Sequence, residues 1–172
     1  MGGIRILAHC PCWADAFARE KDVLESMLSP LGPRIHHIGS TAVPGLFAKP
    51  TIDILIEIED LERIDAYSAS FEARGYQVMG AFGIAGRRYF QKGDHSHHVH
   101  VFSTGDKNLI RHLAFRDYLR AFPGVARAYG ELKKRMAASC GGCRSTYCAG
   151  KDGFIKHHEE KAMAWYGRGF PL

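Results

Sequence analysis

The sequence lacks any long apolar segment. No run approaches the roughly 18 uninterrupted apolar residues that a helix needs to cross a bilayer. The apolar stretch within residues 1–10 is only a few residues long, which is too short for the core of a signal peptide. We therefore expect a cytoplasmic protein with no membrane partner.

Basic residues are not gathered into blocks either. Lys133, Lys134 and Arg135 form the clearest basic run, and aromatic residues are not interleaved with the charges as on a surface that binds single-stranded nucleic acid. We therefore do not expect a nucleic-acid partner. The 23 lysines and arginines still exceed the 18 acidic residues, for a net charge of +5, so the surface should accept anionic small molecules such as phosphates.

Cysteine is sparse and occurs as two short pairs and a single residue: Cys10, Cys12, Cys140, Cys143 and Cys148. A zinc site is one interpretation, but the single residue between Cys10 and Cys12 makes a poor zinc knuckle. Disulfides are rare in the cytosol. The sequence therefore favours unpaired thiols in loops, and it assigns no role to any of the five.

The overall composition is that of a globular chain. Hydrophobic residues make up 46% and charged residues 24% of the 172 residues, which excludes a disordered or low-complexity protein. This length predicts a single domain over residues 1–172, and no repeat of fixed period is visible.

Hydrophobic periodicity predicts an α+β domain with a mixed sheet of about five strands and flanking helices. The predicted strands cover 35–38, 51–58, 76–79, 87–92 and 97–102, and the predicted helices cover 13–28, 60–74, 107–122, 123–138 and 151–166. The sheet thus falls within residues 1–105, and residues 106–172 form a helical carboxy-terminal part.

Asp53 is the first candidate for a functional role. It interrupts the apolar strand at 51–58, where a carboxylate is costly to bury unless a cation or hydrogen-bond donors accompany it. The alternative is an aspartate at a strand end that caps a loop. Gly39 and Ser40 precede it by one strand length, and such a turn can bind an anion through its hydroxyl and backbone N–H groups, although the pair alone is a common turn.

His98 and His100 lie two residues apart on a predicted strand, so both side chains point to one face, where they could bind a metal or an anionic substrate. Packing on a half-exposed sheet face explains them equally well. A histidine-triad hydrolase would need a third histidine at Phe102, and a cupin would need a glutamate where Thr104 and Gly105 stand. Both of these alternatives fail.

Arg88 lies on the neighbouring predicted strand and is a candidate phosphate ligand, as are Arg87 and Lys92. Strand alternation places Arg87 on the face opposite to Arg88 and Lys92. A charged edge strand that is exposed to solvent is an equally good interpretation.

Several segments taken together resemble the GrpB family. They are residues 37–46, 49–54, 88–90, 98–102 and 112–119, followed by Tyr147, Lys151, Asp152, Phe154 and Ile155. The resemblance covers nearly the whole chain. It implies membership of the nucleotidyltransferase superfamily, with a polymerase-β-like sheet and flanking helices.

The resemblance also implies a set of site residues. In that superfamily a Gly-Ser turn holds a triphosphate, and carboxylates on the next strand bind two Mg²⁺ ions that activate an acceptor hydroxyl for in-line attack. Transferred to this chain, the phosphate ligands are Gly39, Ser40, Thr41, Lys49 and Arg88. The catalytic and metal-binding residues are Asp53, His98 and His100, with Mg²⁺, Mn²⁺ or Zn²⁺ as the divalent metal. The implied substrate-binding residues are Tyr147 and Lys151.

The chain departs from the superfamily pattern at Leu55, where a second carboxylate is expected. Glu57 shares the face of Asp53 but lies one residue pair too far along the strand. An aspartate with two imidazoles suits Mn²⁺ or Zn²⁺ better than Mg²⁺. Two hypotheses follow: metal-dependent nucleotidyl or phosphoryl transfer from a nucleoside triphosphate to a small molecule, or a catalytically inactive module that binds an anionic ligand or a protein partner.

Overall fold

The first part of the chain holds the strands and two α-helices, and the last part is helical. The computed structural model describes residues 4–169. Its strands are β1 (Arg34–Ile38), β2 (Ile52–Ile58), β3 (Tyr76–Val78), β4 (Arg88–Lys92) and β5 (His97–Ser103). Its α-helices are α1 (Cys12–Leu28), α2 (Ser68–Glu72), α3 (Lys107–Ala121), α4 (Pro123–Ser139) and α5 (Arg144–Tyr166). The predicted α+β class is confirmed.

The strands form one mixed sheet in the order β1-β2-β5-β4-β3. Only β2 and β5 pair in parallel among these neighbours, and the register places Asp53 beside His98 and Leu55 beside His100. A parallel pair needs a crossover connection. Here α2, β3 and β4 lie in the sequence between the two strands, so residues far apart in sequence meet on adjacent strands.

The two faces of the sheet have different partners. Ile52, Ile54, Ile56 and Ile58 alternate along β2 and belong to a core that includes Leu24 and Leu28 of α1 and Phe71 of α2. On the opposite face, Leu55 packs with Phe102, Ile38 and two leucines of α3, Leu109 and Leu113. Asp53, His98 and His100 lie on this second face because strand side chains alternate, and we call it the site face.

Two helices differ from their predicted bounds. Residues 60–74 form a 3₁₀ helix (Leu61–Tyr67) and the short α2, with Asp60 accepting a hydrogen bond from the Glu62 N–H at 3.1 Å. Helix α5 begins at Arg144 and not at 151. Glycine lowers helix propensity, so Gly150 weakens the helical pattern of the first turns of α5. The side chain of Met136 of α4 packs against Gly150.

The first two cysteines correct the expectation of unpaired thiols. Cys10 and Cys12 form a disulfide at the start of α1, where their Cα atoms are 5.1 Å apart. That separation lies within the range a disulfide can span. Cys140, Cys143 and Cys148 are free, as predicted, but Cys148 lies within α5 and not in a loop. Within residues 4–169 no helix combines the length and the apolar character required to span a membrane.

Candidate functional site

The turn between β1 and β2 lies directly against Asp53. Ser40–Ala42 form one 3₁₀ turn, and Gly39 before it has φ of 71°, a region that side chains disfavour. A Cβ on Gly39 would come within 2.9 Å of the Asp53 Cβ and closer still to Oδ2. Position 39 therefore requires glycine both for its backbone and for the carboxylate beside it.

Two histidines of β5 surround the Asp53 carboxylate. His98 Nδ1 lies 3.3 Å and His100 Nε2 3.9 Å from Asp53 Oδ1. Burial alone would raise the pKa of Asp53, but hydrogen bonding and charge from His100 and His98 outweigh it and hold the pKa below the usual range. Asp53 is therefore ionised at neutral pH.

His112 of α3 extends this group and was not singled out from the sequence. Its ring centroid lies 5.3 Å from that of His100, and burial holds its pKa well below the ordinary value. In the described part of the chain, His98 Nε2 and His112 Nε2 are buried without a hydrogen-bond partner. The family resemblance includes His112 as the first residue of the segment 112–119 but gives it no role, so the fold is what places it beside His100.

A pocket of about 260 Å³ opens over Asp53, and its lining combines cationic side chains with aromatic and apolar ones. Lys133 of α4 is 2% exposed and donates a hydrogen bond from Nζ to Ser40 Oγ at 2.9 Å. Burial, reinforced by the charge of Lys151, lowers the pKa of Lys133 to about 7. The sequence analysis did not identify Lys133 as a site residue. The buried residues of α4 are Ala126, Tyr129, Gly130 and Lys133, at helical spacing, and a charged residue is unusual in such a buried stripe.

Further cations line the same pocket. Lys49 Nζ lies 5.6 Å and Lys151 Nζ 4.4 Å from the centroid of the buried Tyr147 ring. Burial lowers the pKa of both lysines. Arg116 and Arg144 complete the cationic lining. Across residues 4–169, no carboxylate forms an ion pair with Lys49, Lys133, Lys151 or Arg144.

Most of the residues predicted for the site line this one pocket: Gly39, Ser40, Lys49, Asp53, His98, Tyr147 and Lys151. His100 lies beside them against Asp53. Thr41 is buried, and its hydroxyl donates to Thr51 O at 3.2 Å and contacts His37 Nε2 at 3.0 Å. Thr41 therefore holds the turn in place.

Arg88 was predicted to bind phosphate, and its position corrects that prediction. Arg88 pairs with Val101, whose side chain belongs to the core on the face opposite to the site. Its guanidinium binds both carboxylate oxygens of Asp65 at 2.7 and 2.8 Å. Arg88 is therefore outside the pocket, because strand alternation turns it away.

The residues present do not fit a two-metal site. Leu55 is buried in an apolar cluster, and Glu57 binds Arg34 with His36 nearby. Mg²⁺ prefers several oxygen ligands, whereas Asp53 supplies the pocket's one carboxylate. No group of three His, Cys, Asp or Glu side chains in residues 4–169 is arranged to hold a metal ion.

The sheet order and its flanking helices define a polymerase-β-like nucleotidyltransferase fold. The structure of the Cid1 poly(U) polymerase bound to MgATP superposes with a TM-score of 0.50, over 75% of this chain and 45% of the Cid1 chain. The sequence identity is 9%, so this similarity shows the fold alone. The chain belongs to the GrpB family. The model of that family, described as GrpB protein, matches residues 3–161.

Relatives within the family are much more similar. A crystal structure of the conserved protein GrpB from Enterococcus faecalis is 40% identical, with a TM-score of 0.90 over 94% of this chain and 99% of that one. The UPF0157 protein YqkA of Bacillus subtilis is 44% identical over 164 residues, or 94% of this chain. The chain spans 48% of the length of that Bacillus protein.

Proposed function

We propose that the chain binds the polyphosphate of a nucleotide, or of another phosphorylated small molecule, in the pocket over Asp53. The observation that carries this proposal is Lys133, a buried cation that contacts Ser40 and has no carboxylate partner in the described part of the chain. A buried charge is costly unless it is paired. A bound phosphate would supply the missing negative charge.

The shape and charge of the pocket support an elongated anion in preference to a single small one. Lys49 and Lys151 both lie over the Tyr147 ring, while Lys133 of α4 reaches Ser40. Several lysines and arginines at separate points of one cavity can bind successive phosphates, because each presents donors to a different group of oxygens.

Transfer of a nucleotidyl or phosphoryl group is a second candidate, favoured by the pairing of Asp53 with His98. Asp53 lies 3.3 Å from Nδ1, while Nε2 of the same ring is buried and without a partner in the described residues. A histidine oriented by a carboxylate can accept a proton through its other nitrogen. An acceptor hydroxyl would lose its proton to His98 Nε2 as its oxygen attacks phosphorus, and the bond to the leaving pyrophosphate or nucleoside diphosphate would break, with the charge of that leaving group held by the lysines.

The binding proposal is tested by thermal shift and calorimetry with tripolyphosphate and nucleoside triphosphates, each with Mg²⁺, Mn²⁺, Zn²⁺ or EDTA. A ligand at 100 times its Kd adds about 2.7 kcal/mol, or roughly 5–10 °C in Tm for a chain of this size. We expect a shift that persists in EDTA, is smaller in Lys133→Met, and is unchanged in Lys156→Met, an exposed lysine paired with Asp152.

Two results would contradict the binding proposal: a folded wild type that shifts with none of these anions, or equal shifts in wild type and Lys133→Met. A shift that requires a divalent metal would instead restore the metal-dependent hypothesis. The transfer candidate is tested by release of pyrophosphate or of a nucleoside diphosphate from a nucleoside triphosphate, which Asp53→Asn and His98→Asn should abolish while tripolyphosphate still binds. A wild type that binds without any release would reject transfer and leave binding standing.

A further inference from the structure

Phe82 is unusually exposed for a large aromatic residue. It lies in the loop between β3 and β4, and 58% of its surface is accessible. Its φ of 43° is positive. Positive φ is rare for bulky residues and costs conformational energy, and such strain persists where the surrounding structure holds it, often at ligand sites.

Arg87 holds this loop on the sheet. The guanidinium is buried, with the residue 5% exposed, and it donates from Nε to Ala81 O at 3.0 Å and from Nη2 to Phe82 O. Its Nη1 lies 3.3 Å from His100 Nδ1. No carboxylate forms an ion pair with Arg87 in the described ranges. The position of Phe82 is thus fixed relative to His100 by a buried arginine, so the exposed ring is held in place.

An unbroken row of rings connects Phe82 to the pocket. Phe82 stacks on Tyr89, with centroids 5.2 Å apart and planes at 17°. The Tyr89 ring in turn lies 5.7 Å from His98 and 5.1 Å from His100. Tyr89 is on β4, two strands from Asp53 on β2. At about 4.8 Å per strand, the aromatic row begins roughly 10 Å from the carboxylate.

We propose that Phe82 stacks on the nucleobase of a nucleotide whose phosphates occupy the pocket, an inference that rests on the proposed function. A nucleotide carries its phosphates at one end and a planar ring at the other, so its base must lie at a distance from the lysines. Phe82 offers an aromatic ring that is largely exposed, stacks on Tyr89 and has the Arg87 guanidinium carbon 6.0 Å from its centroid. Stacking on an aromatic side chain tolerates any base, since every base has a π face.

The experiment titrates ATP and tripolyphosphate separately into the full chain. Loss of one stacking residue commonly weakens base binding about 5- to 100-fold. We expect Phe82→Ala and Phe82→Leu to weaken ATP binding by this factor and to leave tripolyphosphate binding unchanged, while Phe82→Trp retains ATP. Phe122→Ala is the matched control, because Phe122 is also exposed (39%) but packs against Tyr118 and Trp165 in the helical part of the chain and not against Tyr89.

A direct readout of stacking is quenching of the added indole of Phe82→Trp by ATP and by adenosine, with none from tripolyphosphate. Phe82→Leu keeps an apolar side chain at this position, so a loss of ATP binding in a variant with wild-type Tm cannot come from unfolding. Equal ATP affinity in wild type, Phe82→Leu and Phe82→Ala would overturn this inference. If tripolyphosphate still binds in that case, the proposed function stands. Failure of the wild type to bind either ligand would overturn both.

Discussion

The carboxylate of Asp53 occupies the space where a side chain on Gly39 would begin. An ideal Cβ at position 39 would lie 2.9 Å from the Asp53 Cβ and 3.0 Å from its Cγ. Contacts this close do not occur between real side chains, so the turn and the carboxylate must fit each other. This fit brings Ser40, and with it Lys133, to the same cavity as Asp53.

Gly39→Ala should therefore destabilise the fold more than positive φ alone explains. With φ of 71° and ψ of −171°, Gly39 lies in a region that essentially only glycine populates and that costs another residue about 1–3 kcal/mol, and the collision with Asp53 should bring the total to about 3 kcal/mol or more. The measurement is the free energy of unfolding in urea. Gly45→Ala is the matched control, with φ of 75° and no atom within 4 Å of the added Cβ. Equal losses in the two variants would show that Asp53 does not constrain the turn.

The elements of the sheet could be predicted because burial dictates their residue pattern. The apolar run around Asp53 is a central strand, and His98 with His100 share a face, both as strand periodicity requires. Family resemblance and fold class are confirmed as well. What periodicity cannot supply is which strand pairs with which, and the parallel β2–β5 pairing is what puts Asp53 beside His98.

The cationic wall of the site was harder to predict because it comes from the helices. Lys133 reaches Ser40 across 93 positions of sequence, a contact that no local pattern encodes. Arg88 shows the opposite error, since a basic residue near a candidate site in sequence turned out to bind Asp65 on the other face. Side-chain chemistry thus identified candidate site residues, and the topology of the fold decides which of them lie in the pocket.

Affinity for tripolyphosphate should fall as the pH rises above 7. Burial, together with the neighbouring Lys151 and Lys49, lowers the pKa of Lys133 to about 7, while Asp53 opposes the shift. A bound anion favours the charged lysine, so binding takes up a proton wherever the free lysine is neutral. Affinity then decreases by at most about tenfold per pH unit for this group.

Calorimetry between pH 6.5 and 9 checks this dependence. Lys133→Met should flatten the slope but not remove it, because burial also lowers the pKa of Lys49 and Lys151. Tripolyphosphate gains charge as the pH rises, which on its own would strengthen binding, so the prediction requires the loss of charge on Lys133 to outweigh this gain. An affinity that increases with pH in the wild type would contradict the prediction.

Mild acid should destabilise the protein through its buried histidines. Burial lowers the pKa of His37 to about 4, lowers that of His100, and holds that of His112 well below the ordinary value. These rings stay neutral in the folded chain, whereas unfolded histidines take up protons near pH 6.5. The unfolded state then binds more protons, so stability is lost as the pH falls below 6.5.

Urea unfolding at pH 7, 6 and 5 measures this loss, which is about 1.4 kcal/mol per pH unit for each histidine that stays neutral. His112→Leu should reduce the slope, and His157→Leu, which changes an exposed histidine of the same helical part, should leave it unchanged. If both variants keep the wild-type slope, His112 does not remain neutral in the folded chain.

Cys143 should react with iodoacetamide at a lower pH than an ordinary thiol. It is the N-cap of α5, exposed, and its Sγ lies 3.0 Å from Ser145 Oγ. Hydrogen bonds from Ser145 and then Thr146 lower the pKa of Cys143 to about 6. The thiolate is the reactive form, so the rate of alkylation follows this pKa. We expect a rate midpoint near pH 6, assigned to Cys143 by peptide mapping and absent in Cys143→Ser.

The cause of that shift can be separated from the position of the thiol. Ser145→Ala removes the largest contribution but keeps Cys143 at the amino end of α5, where unpaired backbone N–H groups also favour a negative charge. The midpoint should therefore move up without reaching the usual value of about 8.5. A midpoint near 8.5 in the wild type would mean that neither the hydroxyls nor the helix end stabilises the thiolate. An unchanged midpoint in Ser145→Ala would assign the whole shift to Thr146 and the helix end.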